Sequence, residues 1–170
     1  MDSMSREYAG YDPSPIDIVE DLAEARCWDV DRLGDDQIAM AAEGAWRTYS
    51  LSLAWYDPTE TLRMVCTFDM APPEHRLNEL YKTIEAANDR LWIGGFNLWR
   101  DQSLMAYRYG LTLHGGAGAT FEQVDAMLRG AVENCECYFP AFHLVSHESA
   151  TTEAALAAAL SCETRWKAGK

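Results

Sequence analysis

Cys135, Cys137, His143 and His147 are the residue types in this chain that most suggest a metal site. Their spacing argues against one. Two positions along a helix is a rotation of about 200°, so Cys135 and Cys137 face opposite sides. Zinc-binding cysteine pairs are separated by two to four residues instead. His143 and His147 can share a helix face, but two histidines leave a tetrahedral site half filled. Cys135 therefore reads as a buried core thiol. The run Gly115-Gly116-Ala117-Gly118 precedes a helix start, where backbone N–H groups can cradle an anion. It lacks the lysine of a P-loop and follows no βαβ start, so it reads as a connector. No serine sits in a Gly-x-Ser-x-Gly elbow. Nothing in the spacing of His75, His114, His143 or His147 pairs a base with a group that orients it. The chain is expected to be no enzyme and to carry no metal and no cofactor.

The aromatic residues carry more information. There are six tryptophans: Trp28, Trp46, Trp55, Trp92, Trp99 and Trp166. A core accounts for most of them. The segment from Trp92 to Tyr109 nonetheless places aromatics on both faces of an expected hairpin, because Trp92, Phe96 and Tyr107 do not all fall on the side that buries Trp99. Aromatic surface without an internal home marks an interface. Two readings stay open, a core with nothing to spare and a binding surface. The candidate interaction surface is Trp92, Phe96, Trp99, Tyr107 and Tyr109, with Phe142 on the following helix as the competing patch.

These residues need elements to position them. Ser14-Pro15 with Asp17 predicts a helix start, and Ile18, Val19, Leu22 and Ala23 recur at helical spacing, giving a helix over about 15–26. Alternation follows through Trp28, Val30 and Arg32, then Ile38, Met40 and Ala42. Tyr49, Leu51, Leu53 and Trp55 alternate with Thr48, Ser50 and Ser52, and Leu62, Met64, Cys66 and Phe68 repeat the pattern beyond Asp57-Pro58-Thr59. This predicts antiparallel strands with one buried face, which should bury Leu51, Leu53, Trp55, Met64 and Phe68. A second helix is expected over 73–90, with Leu77, Leu80, Tyr81, Ile84, Ala87 and Leu91 as its apolar stripe. A hairpin from Trp92 to Leu113 comes next. A third helix over 120–145 is capped by Thr120 and Gln123, and Pro140 is expected to kink or break it. An Ala-rich helical patch spans about 152–162.

The fold class is α+β: an antiparallel β-sheet with helices packed on one face, in the order α-β-β-β-β-α-β-β-α. The expected organisation is a flexible N-terminal tail over 1–13, one domain over 14–162 and a polar C-terminal tail over 163–170. The chain has 170 residues and a formal net charge of −13, and that field repels phosphate backbones, so no nucleic-acid partner is expected. Five irregularly spaced cysteines argue for free thiols and a cytoplasmic location. No apolar run reaches the ~18 residues of a membrane span, so no membrane partner is expected either.

Three segments together resemble one family. Asn88-Asp89-Arg90-Leu91-Trp92-Ile93-Gly94-Gly95-Phe96 resembles the helix-end-into-strand signature of the YbjN family. Met105 to Leu113 is similar to the strand that follows it there. Glu133-Asn134-Cys135-Glu136-Cys137-Tyr138-Phe139-Pro140-Ala141-Phe142 resembles the final-helix pattern of its alphaproteobacterial branch, as does the Ala-rich tail. Ser146-His147-Glu148 departs from that pattern, which has an aromatic and glycines there. The resemblance implies a fold like that of type III secretion chaperones, a homodimer, and a surface able to hold an extended peptide. It also implies a family labelled as sensory transduction regulators and brings no catalytic residues. The expected function is a non-enzymatic protein-binding domain, chaperone-like or a regulatory adaptor, with a protein or peptide partner. The alternative is a small-molecule-sensing regulatory domain.

Overall fold

Ser14 and Asp17 bond reciprocally, each side chain accepting the other's backbone N–H at 3.2 Å. With Pro15 at the first helical position, this capping box starts helix α1, Pro15–Ala25. The computed structural model describes residues 13–167, with side chains as far as Ser161. The expected N-terminal tail falls almost wholly outside the described residues, as do the side chains of Cys162 and Trp166. Four strands follow α1: β1 Asp29–Arg32, β2 Gln37–Glu43, β3 Thr48–Tyr56 and β4 Thr61–Asp69. Then come α2 Leu77–Asn88, β5 Gly95–Trp99, β6 Leu104–Thr112, α3 Phe121–His147 and α4 Thr152–Lys167.

The strands form one antiparallel sheet in the order β1-β2-β3-β4-β6-β5. Alternation divides its side chains between two faces. Ile38, Leu51, Leu53, Met64, Phe68 and Met105 lie buried beneath the helices. Each such side chain contributes about 1.5–3 kcal/mol through removal from water. Trp55 is only half-buried, and its indole N–H bonds to Asp57 at the sheet's rim. The other face carries Ala39, Ala41, Ser50, Ser52, Ala54 and Val65, and no helix among the described residues packs over it.

Helix α3 is the spine of the covered side, contacting α1, α2, α4, β4 and β6. It continues through Pro140 as one helix, so of the expected kink or break, the break does not occur. A proline inside a helix costs about 3 kcal/mol. Burial of Phe139, Ala141, Phe142 and Val145 around it offsets that cost. Three further boundaries differ from expectation. The second helix proper starts at Leu77, after a tight turn at Glu74–Arg76. β5 starts at Gly95, so Trp92 precedes the strand. Helix α4 extends past the expected boundary at 162, to Lys167. It is tied to α2 by Glu79, whose carboxylate accepts the Thr152 N–H at 3.0 Å and O–H at 2.8 Å. Among the described residues no helix is long and apolar enough to cross a membrane.

Candidate functional site

The segment from the end of α2 to the start of β5 is held at both ends. The Asn88 side chain donates to the Phe96 carbonyl at 3.0 Å and accepts the Phe96 N–H at 2.7 Å. It thereby occupies the backbone groups that an added strand would need on the β5 edge. At the other end, the Tyr107 hydroxyl donates to the Ile93 carbonyl at 2.9 Å and accepts from the Asn134 amide at 3.1 Å. Gly94 adopts φ +72°, and any Cβ there would overlap the Tyr107 hydroxyl. Only glycine meets both demands cheaply. Burial raises the Tyr107 phenol above its usual range, an effect only partly opposed by the Asn134 bond. It therefore stays protonated and available as a donor at neutral pH.

Between these clamps the loop presents its apolar side chains outward. Trp92 is fully exposed and Ile93 is 58 % exposed. They form the lip of an open cleft of about 670 Å³. One wall is the aromatic face of β6, Tyr107 and Tyr109. The other is α3, through Ala126, Met127, Gly130, Asn134 and Tyr138, with Leu160 of α4 beyond and Arg90 at the mouth. Among the described residues the lining has no histidine, cysteine or carboxylate. Gly130 sits mid-helix, where glycine costs about 0.5–1 kcal/mol relative to alanine. A Cβ added at Gly130 would meet nothing within 4 Å. Packing does not require that glycine; it leaves the cleft wide at this point.

Of the residues predicted from sequence, the structure brings Trp92, Tyr107 and Tyr109 together at this cleft. Tyr107 is itself almost wholly buried and contributes a wall rather than an exposed surface. Phe96 and Phe142 lie in the core, their ring centroids 5.0 Å apart, and cannot be offered to a partner without opening it. Sequence parity placed Trp92 in a strand with Phe96, and its true position in the preceding loop is what frees it. Trp99 lies half-buried at the far end of β5, beside Tyr81 and Leu98. Sequence reasoning missed Gly130, Ala126, Asn134 and Tyr138. The one available signal was Gly130 itself, an unexplained glycine inside a strongly apolar helix.

The candidates for other chemistry separate in space. Cys135 is buried with its sulfur 3.6 Å from that of Cys66, while Cys137 faces the Ala159 carbonyl at 3.9 Å. Burial and the neighbouring Cys66 push the Cys135 thiol well above its usual range, which makes it a poor nucleophile. His143 and His147 approach with ring centroids 4.9 Å apart, and His143 lies 3.9 Å from Glu148. Among the described residues no group of three or more metal-ligating side chains converges. In the Gly-rich loop the Gly115 N–H donates to Glu60 at 3.2 Å, so a carboxylate of this chain takes the place of an anion.

This geometry sits on a fold that occurs elsewhere. The crystal structure described as "YbjN, a putative transcription regulator from E. coli" superposes with a TM-score of 0.51 at 12 % identity, covering 71 % of this chain and 85 % of that one. At that identity the likeness is one of fold. No curated protein matches the chain. Over residues 15–144, from α1 through most of α3, the sequence matches the YbjN family, described as "Putative bacterial sensory transduction regulator". The chain belongs to the YbjN family.

Proposed function

We propose that this domain is a non-enzymatic regulatory adaptor that seats an apolar segment of another protein in the Trp92 cleft. The observation that carries the reading is the pairing of a fully exposed tryptophan with a loop clamped at both ends. A bare indole in water is unfavourable, and a loop free to move would fold it against the Tyr109 wall. Held outward, it forms a preordered anchor for a partner, which lowers the entropy cost of binding. The lining fits this role: aromatic and aliphatic walls, a few orienting donors in Asn134 and Arg90, and no residue suited to general base or nucleophile. The net charge of −13 favours a protein partner over nucleic acid.

The volume of about 670 Å³ also falls in the range of small-molecule sites and favours a sensor as the second reading. Selection of short random peptides displayed on phage, against the immobilised full chain, separates the two. The adaptor reading expects enrichment of peptides with a large apolar side chain, whose affinity falls about tenfold or more in Trp92→Ala. Failure to enrich any peptide, or enriched peptides indifferent to Trp92→Ala, overturns it.

A further inference from the structure

The uncovered face of the sheet carries an ordered charge pattern that the cleft does not use. One cross-strand row runs Asp31, Ala39, Ser52, Val65, Arg108, each the register partner of the next. Its ends are an exposed acid on β1 and an exposed base on β6, and its middle is small and uncharged. Asp31 and Arg108 each lack an ion-pair partner among the described residues, although the chain is strongly acidic. The next row, Asp29, Ala41, Ser50, Thr67, Ala106, is also small in the middle. In a third, Gln37, Ala54 and Arg63 stand side by side.

We infer that this face is the contact surface between two copies of the chain, packed sheet on sheet about a two-fold axis parallel to the strands and centred on Ser52. β3 is the middle of the five strands from β1 to β6. A two-fold above it lays β1 of one copy over β6 of the other, and β2 over β4. Asp31 then meets Arg108 of the second copy, twice by symmetry, Ala39 meets Val65, and Gln37 meets Arg63. The other in-plane axis, across the strands, would set Asp31 against Asp31 and Arg108 against Arg108. Like charges face only at the Glu43 end, where Asp69 is already bonded by Arg47 at 3.3 Å.

The small residues of the middle rows let the sheets approach at about 10 Å, the spacing of aligned sandwiches. Strands about 4.8 Å apart and about seven residues long give a footprint of about 500 Å² per copy, or about 1,000 Å² in all, the lower end for a specific pair. An unrelated partner has no reason to mirror this row in reverse, whereas a second copy does so by symmetry. The surface is separate from the cleft, so the inference stands apart from the adaptor reading.

Light scattering of the full chain at tens of micromolar tests it. The expected mass is twice 19.1 kDa. Asp31→Arg, Arg108→Asp and Ser52→Arg, the last setting a cation against its own copy on the axis, should each weaken association about tenfold or more. The double variant Asp31→Arg/Arg108→Asp restores the pairs in reverse and should recover the dimer, which also shows that the single variants folded. Trp92→Ala should leave the mass unchanged. A mass of 19.1 kDa for the unaltered chain, a dimer indifferent to Ser52→Arg, or a double variant that stays monomeric overturns the inference.

Discussion

Two glycines border α3 and exist for opposite reasons. Gly44, in the turn between β2 and β3, has no room: a Cβ there would overlap the Glu136 carboxylate and the Tyr49 ring. Around it every group is matched. Glu136 accepts from the Tyr49 hydroxyl at 2.6 Å, the Ala45 N–H at 3.0 Å and the Trp46 N–H at 3.3 Å. Burial, then the bond to Glu136, holds the Tyr49 phenol well above its usual range, so it remains a donor. Gly130, about two turns earlier on α3, has only room. The first region is a closed latch that fixes the hairpin on the helix. The second is an opening that the helix maintains at a cost in its own stability. The proposed site lies where packing is left incomplete.

The largest expected effect is on the latch. Glu136→Ala removes the acceptor of a buried hydroxyl and should destabilise the fold by about 3 kcal/mol in urea titration. A loss below about 1 kcal/mol would mean the latch is ornamental. Gly44→Ala should follow, at about 1–3 kcal/mol from overpacking. Gly130→Ala reverses the sign. It should stabilise by about 0.5–1 kcal/mol, since the helix gains and nothing clashes. A destabilising Gly130→Ala would show that the opening is not open.

A slighter effect concerns α4, which carries Leu160 to the cleft. Bonds from the Thr152 hydroxyl and N–H hold the Glu79 carboxyl below its ordinary value of 4.5. A lowered folded pKa contributes stability that is present above that value and lost as pH falls through the folded one. Protection of the α4 amides, taken relative to their intrinsic exchange rate at each pH, should therefore fall below about pH 4.5, and Glu79→Gln should flatten that dependence. An α4 equally protected on both sides of that pH would remove Glu79 from its role.

The sheet was legible in the sequence because period-two alternation in β3 and β4 is strict and half-buried strands have few alternatives. The starts of α1 and α3 were legible for a similar reason, since the Ser14 cap and the Thr120/Gln123 capping box act within three residues. The cleft was not legible. It draws on the loop between α2 and β5, on β6, α3 and α4, and periodicity within one element says nothing of how wide a gap lies between two. Trp92 and Tyr109 were found by type, but Phe96 and Phe142 were included by the same logic and proved buried. Pro140 misled because local backbone cost was weighed without the burial that offsets it.

In the proposed function, Gly130 keeps the cleft open for a partner. Gly130→Leu tests it directly, because leucine is a good helix former and a Cβ at this position meets nothing within 4 Å. With a peptide selected on the unaltered chain as probe, titration calorimetry should show affinity falling at least about tenfold, while thermal unfolding shows Gly130→Leu as stable as the parent or more so. Undiminished affinity in a stable Gly130→Leu protein would contradict the account.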